Sequence, residues 1–148
     1  MERTASGKGG MSNFEILVDS DALIGLTLSA DAHHTHSCQI FNNLFEQKKR
    51  LVVTSAVVAE VATVLSHYEG QEVARNFLKN IAQDSLFPLI FVDEKIYIET
   101  IDLFSLQNRR GTSFTDCANV VVMKHYDIPA ILSFDKVYSR DFHLEMVR

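Results

Sequence analysis

The chain has 148 residues, of which 47% are hydrophobic and 22% charged, as is typical of one globular domain with a substantial core. Its formal charge of −5 argues against a protein that coats nucleic acid non-specifically, because that affinity comes from Lys and Arg neutralising phosphates. The negative charge does not exclude an acidic site that binds phosphate through a bound cation. The two cysteines have no paired spacing, so neither a disulfide framework nor a zinc knuckle is indicated.

The N-terminal segment MERTASGKGG has no apolar stretch of the kind found in secretory signals. No segment approaches the roughly 20 apolar residues that span a bilayer. We therefore expect a cytoplasmic protein with no membrane association. Residues 1–12, which contain a second methionine, Met11, are expected to be a flexible or vector-derived leader, with the folded domain at 13–148.

Four short apolar runs with β-type residues divide the chain: residues 14–18, 51–53, 89–92 and 130–134. Long segments with helical spacing separate them. This alternation predicts parallel strands joined by crossover helices, an α/β fold. Residues 143–148 could add a short edge strand.

Helical patterns fill the connections. A polar loop at 29–36 leads into a helix that ends by Arg50. Four further helices are predicted at 56–69 after Ser55, at 71–82 after Gly70, at 95–110 before Gly111, and from Thr112 or Ser113 to 126.

Two aspartates lie at strand ends. Asp19 ends the first run and Asp135 directly follows the fourth. Ligands of open parallel sheets bind beyond the carboxyl ends of the strands, so both carboxylates are expected at one edge of the sheet. Each could instead be a turn-forming residue.

Glu60 is unusual because it interrupts the apolar helix AVVAEVATVL. A carboxylate on an apolar face is costly unless it is paired or binds a metal. The alternative is that Glu60 lies at the edge of the apolar stripe and reaches solvent.

Asp116 fits a capping box with Ser113, which explains its presence in the first turn of a helix. The same placement puts it near the edge where Asp19 and Asp135 are expected. Capping and metal binding are therefore compatible.

A cluster of Asp19, Glu60, Asp116 and Asp135 would call for a cation, because neighbouring carboxylates oppose one another's ionisation. An all-oxygen set favours Mg²⁺ or Mn²⁺ over zinc. Such an ion can bind a phosphodiester oxygen and lower the pKa of a bound water, so the chemistry indicated is phosphodiester hydrolysis.

Four segments together resemble the PIN-domain ribonucleases, in particular VapC-like toxins of type II toxin-antitoxin pairs: ILVDSDALIGL, LVVTSAVVAEVATVL, GTSFTDCANVVVMKHYDIPAILSFD and YSRDF. The likeness runs from Phe14 onwards. It implies a three-layer α/β/α domain with a parallel sheet of four or five strands. It also implies Mg²⁺- or Mn²⁺-dependent endoribonuclease activity that leaves a 3′ hydroxyl, homodimerisation, and inhibition by a cognate antitoxin.

The resemblance further implies a metal site formed by Asp19, Glu60, Asp116 and Asp135. Small hydroxyl residues that support the acids or the nucleic-acid backbone would be Ser20, Ser113 and Ser133. Lys136 and Arg140 are close in sequence to Asp135 and are predicted to position the RNA substrate.

Two alternatives stay open. The DSD segment also resembles the DxD signature of haloacid-dehalogenase-type phosphatases, with Asp19 as nucleophile and Asp21 as acid, although no Thr follows and the chain is short for that fold. The other is a PIN-like module that binds RNA or a protein without cleaving.

Two aromatic or imidazole-rich features are interpreted as non-catalytic. His33, His34 and His36 lack the spacing of helical zinc sites and are expected in a solvated loop, near the RNA at most. The phenylalanines at apolar positions are expected in the core, with no stacking platform for RNA; these are Phe91, Phe104, Phe114 and Phe134.

Overall fold

Five short parallel strands form one sheet in the computed structural model, which describes residues 13–148. The leader predicted for residues 1–12 lies outside the described residues. The strands are β1 (Ile16–Val18), β2 (Leu51–Thr54), β3 (Leu89–Ile90), β4 (Ala130–Leu132) and β5 (Glu145–Val147). Their order in the sheet is β3-β2-β1-β4-β5, and every neighbouring pair is parallel. The predicted edge strand is therefore present as β5.

Helices cover both faces of the sheet. They are α1 (Ser20–Thr27), α2 (His34–Glu46), α3 (Ser55–Tyr68), α4 (Gln71–Gln83), α5 (Glu94–Ser105), α6 (Phe114–His125) and α7 (Val137–Asp141). Within the described residues, none of them has the length and apolar character needed to cross a membrane.

Alternation along the strands divides the core in two. Ile16, Val18 and Val53 pack with α1 to α4, whereas Leu17 and Val52 pack with α5 to α7. Because successive side chains of a strand point to opposite faces, continuous apolar strands need helices on both sides. The three-layer α/β/α architecture is thus confirmed.

Three helical predictions differ from the structure. The helix α1 was not predicted, α2 begins at His34 inside the expected loop, and α5 ends at Ser105 rather than at residue 110. Gly25 explains the first difference, since glycine disfavours helices. A Cβ at that position would clash with Ser37 Oγ, so the glycine permits α1 and α2 to pack closely.

The prediction that the phenylalanines are core residues is wrong for two of them. Phe91 is 63% exposed and Phe104 44% exposed. On α5, Tyr97, Ile98 and Ile101 are exposed as well. The helix α5 therefore presents an apolar outer face that includes Phe104, which was expected in the core.

Candidate active site

Asp19 lies at the carboxyl end of the central strand β1 and is the N-cap of α1. Its Oδ1 accepts hydrogen bonds from the Ser20 backbone N–H at 2.8 Å and from Asn119 Nδ2 at 3.0 Å. Its Oδ2 accepts one from Ser133 Oγ at 2.8 Å. The residue is only 3% exposed, so its carboxylate is fixed in place by donors from three separate elements of the chain.

Asp116 is positioned by the predicted capping box at the start of α6. Ser113 Oγ accepts the Asp116 backbone N–H, and Asp116 Oδ2 accepts the Ser113 backbone N–H at 2.8 Å. The other oxygen, Oδ1, accepts the Tyr138 hydroxyl at 3.0 Å. The carboxylate is 7% exposed, so one residue both caps its helix and belongs to the buried polar cluster.

Asn119 and Tyr138 connect these two carboxylates. Asn119 lies three residues after Asp116 and on the same face of α6. Its Nδ2 contacts both Asp19 Oδ1 and the Tyr138 hydroxyl oxygen at 3.0 Å, and its Oδ1 accepts the Thr54 hydroxyl. Three strand ends and two helices are thereby joined in one hydrogen-bond network.

Asp21 and Asp135 are linked to this network through Ser133. Asp21 Oδ2 accepts the Phe134 backbone N–H at 2.9 Å and lies 3.2 Å from Ser133 Oγ. Asp135 donates its backbone N–H to Ser133 Oγ, and its own Oδ1 caps the Val137 N–H at 2.9 Å. Unlike the other acids, Asp135 is exposed and lies at the mouth of the cluster.

Burial makes the cluster resist ionisation. Desolvation, and then the nearby Asp21 carboxylate, raises the pKa of Asp19 from its ordinary value of 3.8 to about 7. Desolvation also raises the pKa of Asp21 and of Asp116, with the charge of Asp135 adding to both effects. Burial raises the pKa of Tyr138 too, so its phenol keeps the proton that it donates to Asp116.

The donor set suits a hard divalent cation. It consists of carboxylate oxygens, and Asp21 Oδ1 is buried without a hydrogen-bond partner among the described residues. In the part of the chain that the structure describes, no three His, Cys, Asp or Glu side chains are grouped so as to hold a metal ion. Asp19 Oδ2 and both oxygens of Asp116 each accept one hydrogen bond, so each of these oxygens keeps a second lone pair.

Glu60 is the predicted ligand that the structure does not join to the others. It is half-buried on α3, beside the fully buried Val57 and Val61. Its carboxylate makes no hydrogen bond or ion pair with another residue in the range 13–148. Its role as a metal ligand stays a prediction.

The predicted supporting residues fall into two groups. Ser113 and Ser133 hold Asp116 and Asp19 directly, and Ser20 contributes its backbone N–H to Asp19. Lys136 and Arg140 are both exposed beyond Asp135, and Arg140 forms a bidentate ion pair with Asp141.

Sequence reasoning missed Asn119, Tyr138 and Thr54 as parts of the site, and it considered Asp21 only as a possible phosphatase acid. A usable signal existed for Asn119, a polar residue within the otherwise apolar stretch CANVVV one turn after Asp116. Tyr138 and Thr54 gave none, because an aromatic residue and a strand-end Thr have ordinary structural explanations.

The part of the chain that carries these acids matches a known protein family. The model of the PIN domain matches residues 16–141, which include all of the acids described above. The chain belongs to the PIN-domain family. This match decides against the dehalogenase-type interpretation of the DSD segment, since the PIN domain accounts for the whole region.

Solved structures share the fold of this PIN domain. The Mycobacterium tuberculosis toxin VapC20, described as cleaving the sarcin-ricin loop, is 20% identical with a TM-score of 0.75 over 86% of this chain and 95% of its own. VapBC2 from Rickettsia felis, bound to a promoter DNA fragment, is 13% identical with a TM-score of 0.65 over 90% and 98%. FitAcB from Neisseria gonorrhoeae is 12% identical with a TM-score of 0.64 over 90% and 96%. No curated protein gives a significant match by sequence.

Proposed function

We propose that this PIN domain is a Mg²⁺- or Mn²⁺-dependent endoribonuclease and the toxin of a toxin-antitoxin pair. The observation that carries the proposal is the convergence of Asp19, Asp21, Asp116 and Asp135 at the carboxyl edge of the sheet. Burial raises the pKa of three of these acids, Asp19, Asp21 and Asp116, and groups with shifted pKa values cluster at functional sites.

A bound divalent cation would supply a Lewis acid for the phosphodiester oxygen and a water of lowered pKa. Asp19 and Asp116 would hold it, with Asp135 at the mouth and Glu60 as the further predicted ligand. Asn119, Ser133 and Tyr138 keep the first two carboxylates oriented. Asp135 Oδ2, which accepts no hydrogen bond from a described residue, is free to orient a water molecule beside the scissile phosphate.

The toxin role is supported by the nature of the structural neighbours, namely a VapC toxin and complexes named VapBC2 and FitAcB. The likeness there is one of fold. A cognate antitoxin and a second copy of the chain stay predicted partners. The apolar outer face of α5 supports a protein partner, since exposed apolar patches of this kind mark interaction surfaces.

Cleavage of RNA by the purified protein tests the proposal. Labelled RNA should be cut in the presence of Mg²⁺ or Mn²⁺, left intact with a chelator, and cut again when the cation is restored in excess. Loss of cleavage in Asp116→Asn, with an unchanged circular-dichroism spectrum, would assign the activity to this site.

The same assay distinguishes the proposed ribonuclease from a PIN-like module that binds RNA without cleaving it. A protein that binds RNA but leaves total cellular RNA and ribosomal RNA intact with either cation would be a binding module. Cleavage that persists in a chelator, or in Asp116→Asn, would contradict the proposed metal site.

A further inference from the structure

A second feature borders the carboxylate cluster. Phe134, which lies between Ser133 and Asp135, is half-buried and has the ring of His33 stacked on it, with centroids 4.2 Å apart and planes inclined by 10°. The ring of His36 lies on the same phenylalanine at 5.4 Å and 40°. We call His33, His36 and Phe134 the histidine ledge.

The ledge is attached directly to the site. The Phe134 backbone N–H donates to Asp21 Oδ2 at 2.9 Å, and the residue before it donates from its hydroxyl to Asp19. The backbone that carries the Phe134 ring is therefore bonded directly to the carboxylate cluster. A ligand that touches the ledge is a neighbour of any phosphate bound at the acids.

The histidine-bearing segment is bonded to neighbouring elements. His34 and His36 lie in the first turn of α2 rather than in the expected loop, whereas His33 and His36 are exposed to solvent as expected. His34 donates from Nδ1 to the Gly25 carbonyl oxygen at 2.8 Å, and Asp31 Oδ1 accepts the His33 backbone N–H at 2.8 Å. Behind them, the missing Cβ of Gly25 lets α2 approach α1 closely. The two exposed rings are thus presented on a fixed base, which lowers the entropic cost of binding.

The imidazoles of His33 and His36 pack on Phe134, but no polar contact accounts for their nitrogen atoms. His33 and His36 are exposed, and neither ring makes a hydrogen bond or ion pair with another residue in the described range. The His33 ring has one face against Phe134 and is otherwise exposed, so it can stack against a second flat ring. Single-stranded RNA offers matching surfaces, because its unstacked bases bind to Phe, Tyr, Trp and His rings.

We propose that the histidine ledge is a stacking subsite for the base of a nucleotide next to the scissile phosphate. This inference rests on the proposed ribonuclease function and adds a substrate-binding site to it. The ledge binds the base by its π-face, so it tolerates different bases and contributes affinity more than sequence choice.

Substitutions at His33 distinguish a stacking role from a charge role. His33→Ala removes the ring, His33→Phe keeps a ring without a basic nitrogen, and His33→Lys keeps a cation without a ring. His67, exposed on α3, provides the matched control His67→Ala. All four changes are made on an Asp19→Asn background, so that RNA is bound but not cut while affinity is measured in Mg²⁺.

The probe is a labelled single-stranded oligoribonucleotide of mixed sequence, followed by fluorescence anisotropy. We expect His33→Ala and His33→Lys to weaken binding by about tenfold, the loss of one base-aromatic stack, and His33→Phe and His67→Ala to leave it unchanged. An oligomer with abasic sugars should bind all variants alike. In the cleaving protein, His33→Ala should raise KM and leave kcat close to its original value.

Two results would overturn the ledge. One is equal affinity of His33→Ala and the Asp19→Asn parent; the other is full affinity in His33→Lys with a loss in His33→Phe, which would indicate a phosphate contact. Neither result bears on cleavage, which is measured separately in the protein with Asp19 intact. If that protein cuts no RNA, the proposed function fails while the anisotropy series still decides whether the ledge binds bases.

Discussion

Two aspartates of this chain follow the same local pattern and have different fates. Asp19 comes after the apolar strand β1 and caps α1; Asp93 comes shortly after β3 and caps α5 through a 2.9 Å hydrogen bond from the Ile96 N–H. Yet Asp19 is buried in a polar network and Asp93 is exposed. The difference lies in the sheet, where β1 is the central strand and β3 an edge strand.

The comparison teaches that a strand-end carboxylate becomes part of a site only where other strand ends surround it. Asp19 has β2 on one side and β4 on the other, so Thr54, Asn119 and Ser133 all lie within reach. Asp93 is exposed to solvent, and its side chain only caps α5. Asparagine caps a helix as well as aspartate does, so Asp→Asn at both positions separates charge from capping.

The largest expected effect is on cleavage. Asp19→Asn should reduce kcat by more than the roughly 10- to 100-fold that loss of an outer-shell partner costs at metal sites, because it removes a ligand charge. Asp93→Asn should leave kcat unchanged. Initial rates with one RNA substrate measure both, and equal rates for the two variants would break the comparison.

The second expectation concerns the divalent cation. At a pH above about 7, where Asp19 is ionised, Mg²⁺ or Mn²⁺ should raise the melting temperature of the protein, since a ligand that binds only the folded state stabilises it. The rise should be small in Asp19→Asn and complete in Asp93→Asn. Thermal unfolding over a cation titration gives the answer, and a rise that Asp19→Asn keeps in full would place the ion elsewhere.

The third prediction concerns how the free energy of unfolding depends on pH in the presence of a chelator. The folded-state pKa of Asp19 is raised above its ordinary value of 3.8, so the folded state binds the proton more tightly than the unfolded state does. The resulting stability is present below 3.8 and is lost as pH rises through about 7. Denaturant unfolding across this range should show the decline, with a shallower slope in Asp19→Asn and the original slope in Asp93→Asn. A stability that increases from pH 5 to about 7 in both variants alike would contradict the raised pKa.

A smaller effect is expected from the network that orients the acids. Tyr138→Phe removes the hydroxyl that donates to Asp116, at a cost of about 1 kcal/mol in the free energy of unfolding. It should lower kcat by roughly tenfold while leaving KM unchanged, as loss of an outer-shell partner does. Tyr97→Phe on α5 is the matched control, since its hydroxyl makes no hydrogen bond within residues 13–148.

The smallest effect is expected at the edge strand. Asp93→Ala removes the N-cap of α5 and should lower the free energy of unfolding by about 1 kcal/mol, with no change in cleavage. Denaturant unfolding and initial rates measured on one preparation check both halves. A loss of activity larger than the loss of folded protein would show that the two strand ends are less separate than the fold indicates.

The sequence predicted the parallel sheet and much of the candidate site because both follow from local pattern. Apolar runs ending in a polar residue located the strand ends with Asp19 and Asp135, and the capping-box spacing located Asp116. Each of those signals is contained within a few neighbouring residues. The remaining features depend on contacts between distant segments.

Three features could not be decided from local sequence pattern. The helix α1 contains Gly25, which disfavours a helix locally, and the need for glycine there comes from Ser37 on α2, which leaves no room for a side chain. Tyr138 gave no sign of its role, since a phenol becomes a carboxylate partner only when α7 packs against α6. For Glu60, the pattern identified a half-buried acid on an apolar helix. Whether Glu60 binds a metal depends on the presence of the cation, which the sequence alone does not decide.

The strand order determines when the candidate site can form during synthesis. The hydrogen bond between Asp19 and Ser133 joins residues 114 positions apart, because β1 pairs with β4. A polypeptide still being synthesised contains Asp19 long before it contains β4, the strand that is followed by Ser133. An unfinished chain that ends before β4 therefore lacks Ser133 and Asp135, and with them part of the candidate site.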